Sequence, residues 1–374
     1  MHWPNPANPS EPEVAEGSVW PGFGPALALA GSVFLAGVLG IALTRQSGRV
    51  AAIWLANAVV VLALLGSPRR RWPVLLLCGL AGNLAADRVL GDGSWMAFAL
   101  SLCNTVEIVL AGWLFRLWDR HDRTDLTRMP SLFKFIAVAG LAAPATGAAL
   151  AAVGLHLHQG TPFGMVWRPW YAADALGLLI LVPLLAMLDR TQLRSQARSA
   201  LRPPVLAGLA LIPALTLALV VNNQLGWLFL LSPVILWAVF KEGFAGATLA
   251  IFLAAASAIV PLAALASRPE FAPHLRADIF QIQVFLFTLV VIFLPIANLL
   301  RALQDGDAQF RILIEQAPEA ILVYDLDRDR FIAANRSAEK LFGCPRDQLL
   351  ESGPRRFLQG IQEEREFPAR LPNL

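Results

Sequence analysis

Residues 167–188 read WRPWYAADALGLLILVPLLAML: an aromatic cluster, one carboxylate, then unbroken apolar sequence. That order is a membrane span entered through a Trp/Tyr interface, because amphipathic rings favour the headgroup layer. Trp167, Trp170 and Tyr171 suit that layer, whereas Asp174 falls one helical turn deeper, where a carboxylate is costly and is generally paired or functional.

Outward from this stretch, composition points the same way. The 374 residues are 56% hydrophobic and 15% charged, with a mean hydropathy of +0.57, against about 25% charged in soluble domains. The expected class is a polytopic membrane protein. Charge concentrates at the end of the chain: residues 301–374 hold 11 of the 30 Lys/Arg and 13 of the 27 Asp/Glu. A soluble appendage is therefore expected after the membrane part. The net charge of +3 does not indicate nucleic acid, since the basic residues sit in short loops between apolar runs, where they orient a membrane protein. Cys78, Cys103 and Cys344 have neither metal-type spacing nor an evident disulfide partner. Residues 1–22, rich in proline and without Lys or Arg, read as a disordered leader rather than a signal peptide.

A membrane helix needs roughly 20 apolar residues, and fewer inside a bundle. Ten segments qualify: 23–43, 50–65, 72–86, 95–118, 132–157, 170–188, 205–221, 228–240, 244–266 and 280–300. The third and eighth are short, so eight spans is the alternative count. With ten spans and the N-terminus inside, thirteen Lys/Arg fall in cytoplasmic loops and six in the opposite ones, as the positive-inside rule favours. The charged tail is then cytoplasmic. Pro144, Pro183, Pro213, Pro233, Pro261 and Pro295 lie inside spans, where each frees a backbone carbonyl. Pro295 matters most, because it occupies the last span before the soluble part. Close helix packing is expected at small residues such as Gly140, Ala143, Ala145 and Gly147.

The polar residues within spans fall mostly in the outer half. Asn57 follows Trp54 by three positions, Asn83 and Asp87 share a face of the third span, and Asn104 and Glu107 share a face of the fourth. Glu107 is the deepest, twelve residues beyond Trp95 and so about 18 Å along the axis. It must face the bundle interior and be protonated or paired. Single asparagines read as interhelical glue, but Glu107 and Asp174 read as functional, because neutral side chains would serve as glue at lower cost. His156 and His158, two apart, do not share a helical face and read as an interfacial pair rather than metal ligands.

These residues resemble the first class of membrane-associated sensor (MASE) domains over about 23–303. Trp54, Asn57 and Ala58 match an early WxxNG element, with Ala where Gly is more usual. Gly66, Arg69 to Arg71 and Pro73 match its basic turn, and Asn104 with Glu107 an Asn-x-x-Glu element. Trp167, Trp170, Asp174 and Gly177, continuing to Pro183, match WxxWxxxDxxG. The resemblance implies an integral-membrane sensor coupled to cytoplasmic signalling modules. The expected sensing residues are Trp54, Asn57, Asn83, Asp87, Asn104, Glu107, Trp167, Trp170 and Asp174, with Pro295 and Arg301 in the relay.

The tail, 304–374, reads as a connector helix and half a domain. Residues 320–325 and 330–334 alternate as strands about a polar turn, and a short helix opens after Asn335. The run is similar to the first half of a PAS domain, including its Asn335 and its Leu-Phe-Gly ending at Gly343. Two strands do not normally stand alone, so the tail reads as a truncated PAS. Leu303, Phe310 and Ala317 recur every seven residues in the connector, a spacing through which two copies could pair.

The expected fold is thus an all-α polytopic membrane bundle plus a partial α+β PAS fragment. Its expected function is a bacterial inner-membrane input module that receives a small ligand or ion. No Walker loop, kinase histidine box, GG[DE]EF-like or EAL-like sequence is present, so no catalysis, cofactor or metal is expected within the chain, and a histidine kinase or diguanylate cyclase output would lie beyond Leu374. The competing class is a secondary transporter using Glu107 and Asp174; a structural scaffold is the third.

Overall fold

The computed structural model describes residues 23–44, 52–91, 93–118, 125–187, 203–265, 275–328 and 330–351. The leader expected over 1–22 and the basic stretch 190–202 lie outside these residues. The chain divides into two units, Met1–Leu300 and Arg301–Leu374.

The first unit is helical. Its elements are α1 (Phe23–Thr44), α2 (Ala56–Leu65), α3 (Trp72–Val89), α4 (Ser94–Trp118), α5 (Met129–Ala137), α6 (Ala143–Gln159), α7 (Phe163–Ala186), α8 (Pro203–Val221) and α9 (Leu231–Leu265). Helix α10 (Leu275–Gln316) contributes 275–300 here and its remainder to the second unit. Large apolar side chains such as Leu35, Phe133, Phe240 and Phe280 are exposed on it, as in a bundle whose solvent is lipid. It is a multi-pass membrane domain.

Seven helical stretches among the described residues are long and apolar enough to cross a membrane. Each of the ten expected segments is mostly helical among the described residues, residues 52–55 of the second being the exception, and the smaller number has three causes. Helix α2 has only ten residues. Helix α3 carries Asn83, Asp87 and Arg88 in its last two turns. The eighth and ninth segments form one helical run, broken at Gly243 by φ 59° and ψ −135°, a geometry suited to a residue without Cβ.

Short α2 is nevertheless central. It packs against α1, α3, α4 and α7, and seven of its ten residues are buried. Its C-terminal carbonyls are held from other elements: Arg116 Nη2 donates to Leu65 O at 2.7 Å and Ser67 O at 2.8 Å, and Trp72 Nε1 donates to Leu64 O at 3.1 Å. Ahead of α2, residues 52–55 are not helical although Ala52, Ile53 and Trp54 are buried, so their backbone needs partners outside a helix. Trp54 N–H donates to Ala173 O of α7 at 3.0 Å, and Gln283 Nε2 of α10 donates to Ala52 O at 2.9 Å. The contact is close because Gly177 has no side chain: a Cβ there would overlap Trp54 O.

Helices α5 and α6 are joined by a π-helical turn, Val138–Ala142. Pro144 lacks the N–H that Gly140 O would otherwise accept. Tyr171 OH of α7 supplies it instead, at 2.7 Å.

In the second unit, β1 (Leu322–Asp325) and β2 (Arg330–Ala334) pair antiparallel, Leu322 opposite Ala334, with an irregularity between Val323 and Tyr324. Helices α11 (Arg336–Phe342) and α12 (Arg346–Glu351) follow. Ala334, Ala338 and Leu349 form its small core.

Gly177→Ala pushes a methyl into the Trp54 backbone. Overpacking of this kind costs about 1–3 kcal/mol or more, so the unfolding midpoint in detergent should fall by several degrees. Gly154→Ala, with nothing within 4 Å of the added methyl, should match or slightly exceed the parent in the same thermal assay.

Candidate signal-sensing site

The site is built where the 52–57 segment, α4, α6 and α7 converge. Trp54 Nε1 donates to Asn57 Oδ1 at 3.2 Å, and Asn57 Nδ2 reaches Asn104 Oδ1 at 3.4 Å. One turn along α4, Glu107 has Asp174 of α7 and Asn57 as its polar neighbours. Trp170, one turn before Asp174 on α7, faces the Asp174 carboxyl. Glu107 and Asn57 are 0% exposed, Asp174 2% and Asn104 3%.

Position along the helices explains the meeting of the two carboxyls. Helix α7 begins at Phe163, just after Pro162, rather than at the predicted position 170. Asp174 is therefore eleven residues into its helix and Glu107 thirteen into α4, about 17 and 20 Å along the respective axes. Asp174 is deeper than its aromatic neighbours alone indicate. Helix α6 gives Glu107 its passage: a Cβ on Gly147 would sit 2.5 Å from Glu107 Oε2.

With both carboxyls ionised, neither Glu107 oxygen nor Asp174 Oδ2 meets a donor in good hydrogen-bond geometry, and Trp170 Nε1 meets no acceptor; a proton on one carboxyl lets it donate to the other. Leaving a buried polar atom unpaired costs about 1–3 kcal/mol, and more for a charge. A site that keeps three such carboxyl oxygens together is poor glue.

The other predicted sensing residues lie elsewhere. Asn83 is fully buried with both amide atoms unpartnered, near Gly37 of α1 and the far edge of the Trp54 ring. Asp87 accepts from Ser101 Oγ at 3.1 Å, linking α3 to α4. Trp167 stacks on Tyr171 with centroids 5.1 Å apart and donates to Ala145 O at 3.2 Å, so both rings secure the α6 kink. His156 Nδ1 pairs with Thr161 O at 3.0 Å.

On α10, Pro295 is half-buried, and exposed Arg301 lies 3.7 Å from Asp305. Two buried amides on that helix were not expected from sequence: Gln283, bonded to Ala52 O, and Asn298, whose Nδ2 donates to Leu126 O at 2.9 Å. An amide in an otherwise apolar last span was the available signal.

In the second unit, Asn335 is fully buried and fully paired. Its Nδ2 donates to Ile314 O and Glu319 O, each at 2.9 Å, and its Oδ1 accepts from Ile321 N and Ala338 N, each at 2.9 Å. One side chain thus ties the end of α10, the entry to β1 and the start of α11. Gly343 closes α11 with φ 65°, a left-handed cap.

The membrane bundle with its buried carboxyl pair is followed by a small α+β module. The MASE1 family model matches residues 25–303 and a PAS domain model matches 308–372. The chain belongs to the MASE1 family, and its membrane sensor domain is followed by a PAS domain. Both modules are sensory rather than catalytic. Comparison with curated proteins and with solved structures gave no match.

Asn335→Ala removes four hydrogen bonds and takes the acceptor from the part-buried Ile321 N–H, while Ala338 N–H keeps Asn335 O. Bonds of this kind contribute about 0.5–1.5 kcal/mol each. In the intact chain, amide exchange over 314–338 should accelerate at least tenfold while α2 and α7 stay protected; unchanged exchange would show that Asn335 does not organise this region.

Proposed function

We propose that the chain is the input part of a bacterial inner-membrane signalling protein. The signal acts at the cluster of Trp54, Asn57, Asn104, Glu107, Trp170 and Asp174, and α10 carries the response to a cytoplasmic PAS domain. Beyond it lies an output module, a histidine kinase or a diguanylate cyclase. The observation that carries this reading is the buried Glu107–Asp174 pair, with three carboxyl oxygens lacking partners. An arrangement so costly in an apolar medium is retained for function rather than packing.

The bond from Gln283 to Ala52 O supports the relay, because it joins the last span to the segment carrying Trp54 and Asn57. Rearrangement of the cluster would load α10 through this bond. Pro295, which leaves Val291 O without its usual helical partner, gives α10 a place to bend. Leu303, Phe310 and Leu313 are exposed beyond it and offer an apolar stripe for a second copy.

The test uses the parent protein with its output domain. Asp174→Asn and Glu107→Gln should each change basal output several-fold at equal membrane abundance. Gln283→Ala and Pro295→Ala should blunt the response while ligand occupancy is retained. Output equal to wild type in both carboxyl variants would refute the assignment of the input site.

A further inference from the structure

We infer that Asn298 is a positioning residue of the relay: it fastens the last span, α10, to the turn at 125–128 and, through that turn, to α4, the helix that carries Asn104 and Glu107. The inference rests on the reading of the carboxyl cluster as the input site. It adds to that reading a second connection, independent of Gln283.

The bond itself is well fixed. Asn298 is 1% exposed, and its Nδ2 donates to Leu126 O at 2.9 Å. Because the acceptor is main chain, it moves only when the turn moves. Leu126 is buried in the bundle core with Phe115, Leu132 and Phe135. Asp125 Oδ1 accepts from Thr127 N at 3.0 Å and from the Thr127 hydroxyl, and Leu132 N donates to Arg128 O at 2.9 Å, which runs the turn directly into α5.

Helix α5 is in turn tied to the end of α4. Lys134 Nζ donates to Trp118 O at 2.7 Å, and Phe135 meets Phe115 edge to face with ring centroids 6.0 Å apart. Phe115 lies about two turns beyond Glu107 on the same helix. A displacement of α4 at Glu107 is therefore passed by packed rings and hydrogen bonds to Leu126, a contiguous network of the kind that carries coupling.

Position on α10 gives the bond its use. Gln283 and Asn298 are fifteen residues apart, about 22 Å along the helix, with Pro295 between them. Gln283 holds the part before the proline to Ala52 and so to the segment lying on α7; Asn298 holds the part after it to the turn tied to α4. No other described helix lies backbone-close along α10, as α3 does along α1, so these two bonds are its directional ties. Asp174 is on α7 and Glu107 on α4. A change in how the two carboxyls pair therefore displaces one attachment relative to the other and alters the bend at Pro295. Asn298 Oδ1, moreover, is buried without a donor, whereas a tie kept for strength alone would satisfy both ends of the amide.

The test is non-additivity in the parent protein with its output domain, using Glu107→Gln as the perturbation. Asn298→Leu nearly keeps the size of the side chain and removes the donor. Glu107→Gln, which alone changes basal output several-fold, should leave output within about 1.5-fold in the Asn298→Leu background at equal membrane abundance. It should act with its full factor beside Thr216→Val, which alters a buried hydroxyl bonded within its own helix, α8. Residues that share no network act additively, so an undiminished Glu107→Gln factor in Asn298→Leu would overturn the inference and leave the input site standing. Glu107→Gln without effect in the wild-type background would overturn both. If Asn298→Leu does not reach the membrane, Lys134→Met, which cuts the same route between α4 and α5, decides: the factor should shrink, and an undiminished factor overturns the inference.

Discussion

The contact on which the bundle depends is main chain against main chain. Trp54 lies on α7 with its N–H bonded to Ala173 O and its carbonyl against Gly177. Backbones approach this closely only where one partner lacks Cβ, the logic by which small residues bring membrane helices together. From that approach the rest follows. The indole of Trp54 is directed to Asn57, Asn57 to Asn104, and the two α4 residues Asn104 and Glu107 are presented towards Asp174, three positions before Gly177. The WxxN and WxxWxxxDxxG elements, more than a hundred residues apart in sequence, form one joint.

The same trade recurs across the bundle: a break in regular backbone hydrogen bonding is answered by a side chain from another element. The non-helical 52–55 segment is held through Gln283, the end of α2 through Arg116, and the Pro144 kink through Tyr171. In a medium without water these bonds are obligatory. Each also ties together helices distant in sequence. Against this pattern of satisfied groups, Asn83 and the Glu107–Asp174 pair stand out as buried polar groups without a partner of that kind.

Much of this was legible in the sequence because hydropathy and local pattern are one-dimensional signals. Every expected apolar segment is mostly helical among the described residues, apart from the non-helical start of the second at 52–55, and the strands and Asn335 turn of the tail fall where alternation and turn chemistry place them. Glu107 and Asp174 were visible as carboxylates in apolar runs. Their adjacency was not, because it depends on where α7 starts, and Trp167, Trp170 and Tyr171 have the composition of a membrane-interface entrance. Trp167 and Tyr171 instead brace α6, a role set by the proline one helix away. The bonds of Gln283, Asn298 and Arg116, the last counted among the loop charges, were not legible because a polar side chain does not declare which distant carbonyl it meets. Asn83 and Asp87 share a face of α3, but helix rotation sends them to Trp54's far edge and to Ser101.

The central claim is that Glu107 and Asp174 adjoin inside the bundle and act as one unit. Isotope-edited infrared spectroscopy of the chain in lipid, with the side-chain carboxyls of glutamate carbon-13 labelled, tests it most directly. The Glu107 band, identified by its loss in Glu107→Gln, should shift when Asp174 is replaced by asparagine and stay in place when Asp87 is. A Glu107 band indifferent to Asp174→Asn would contradict the account.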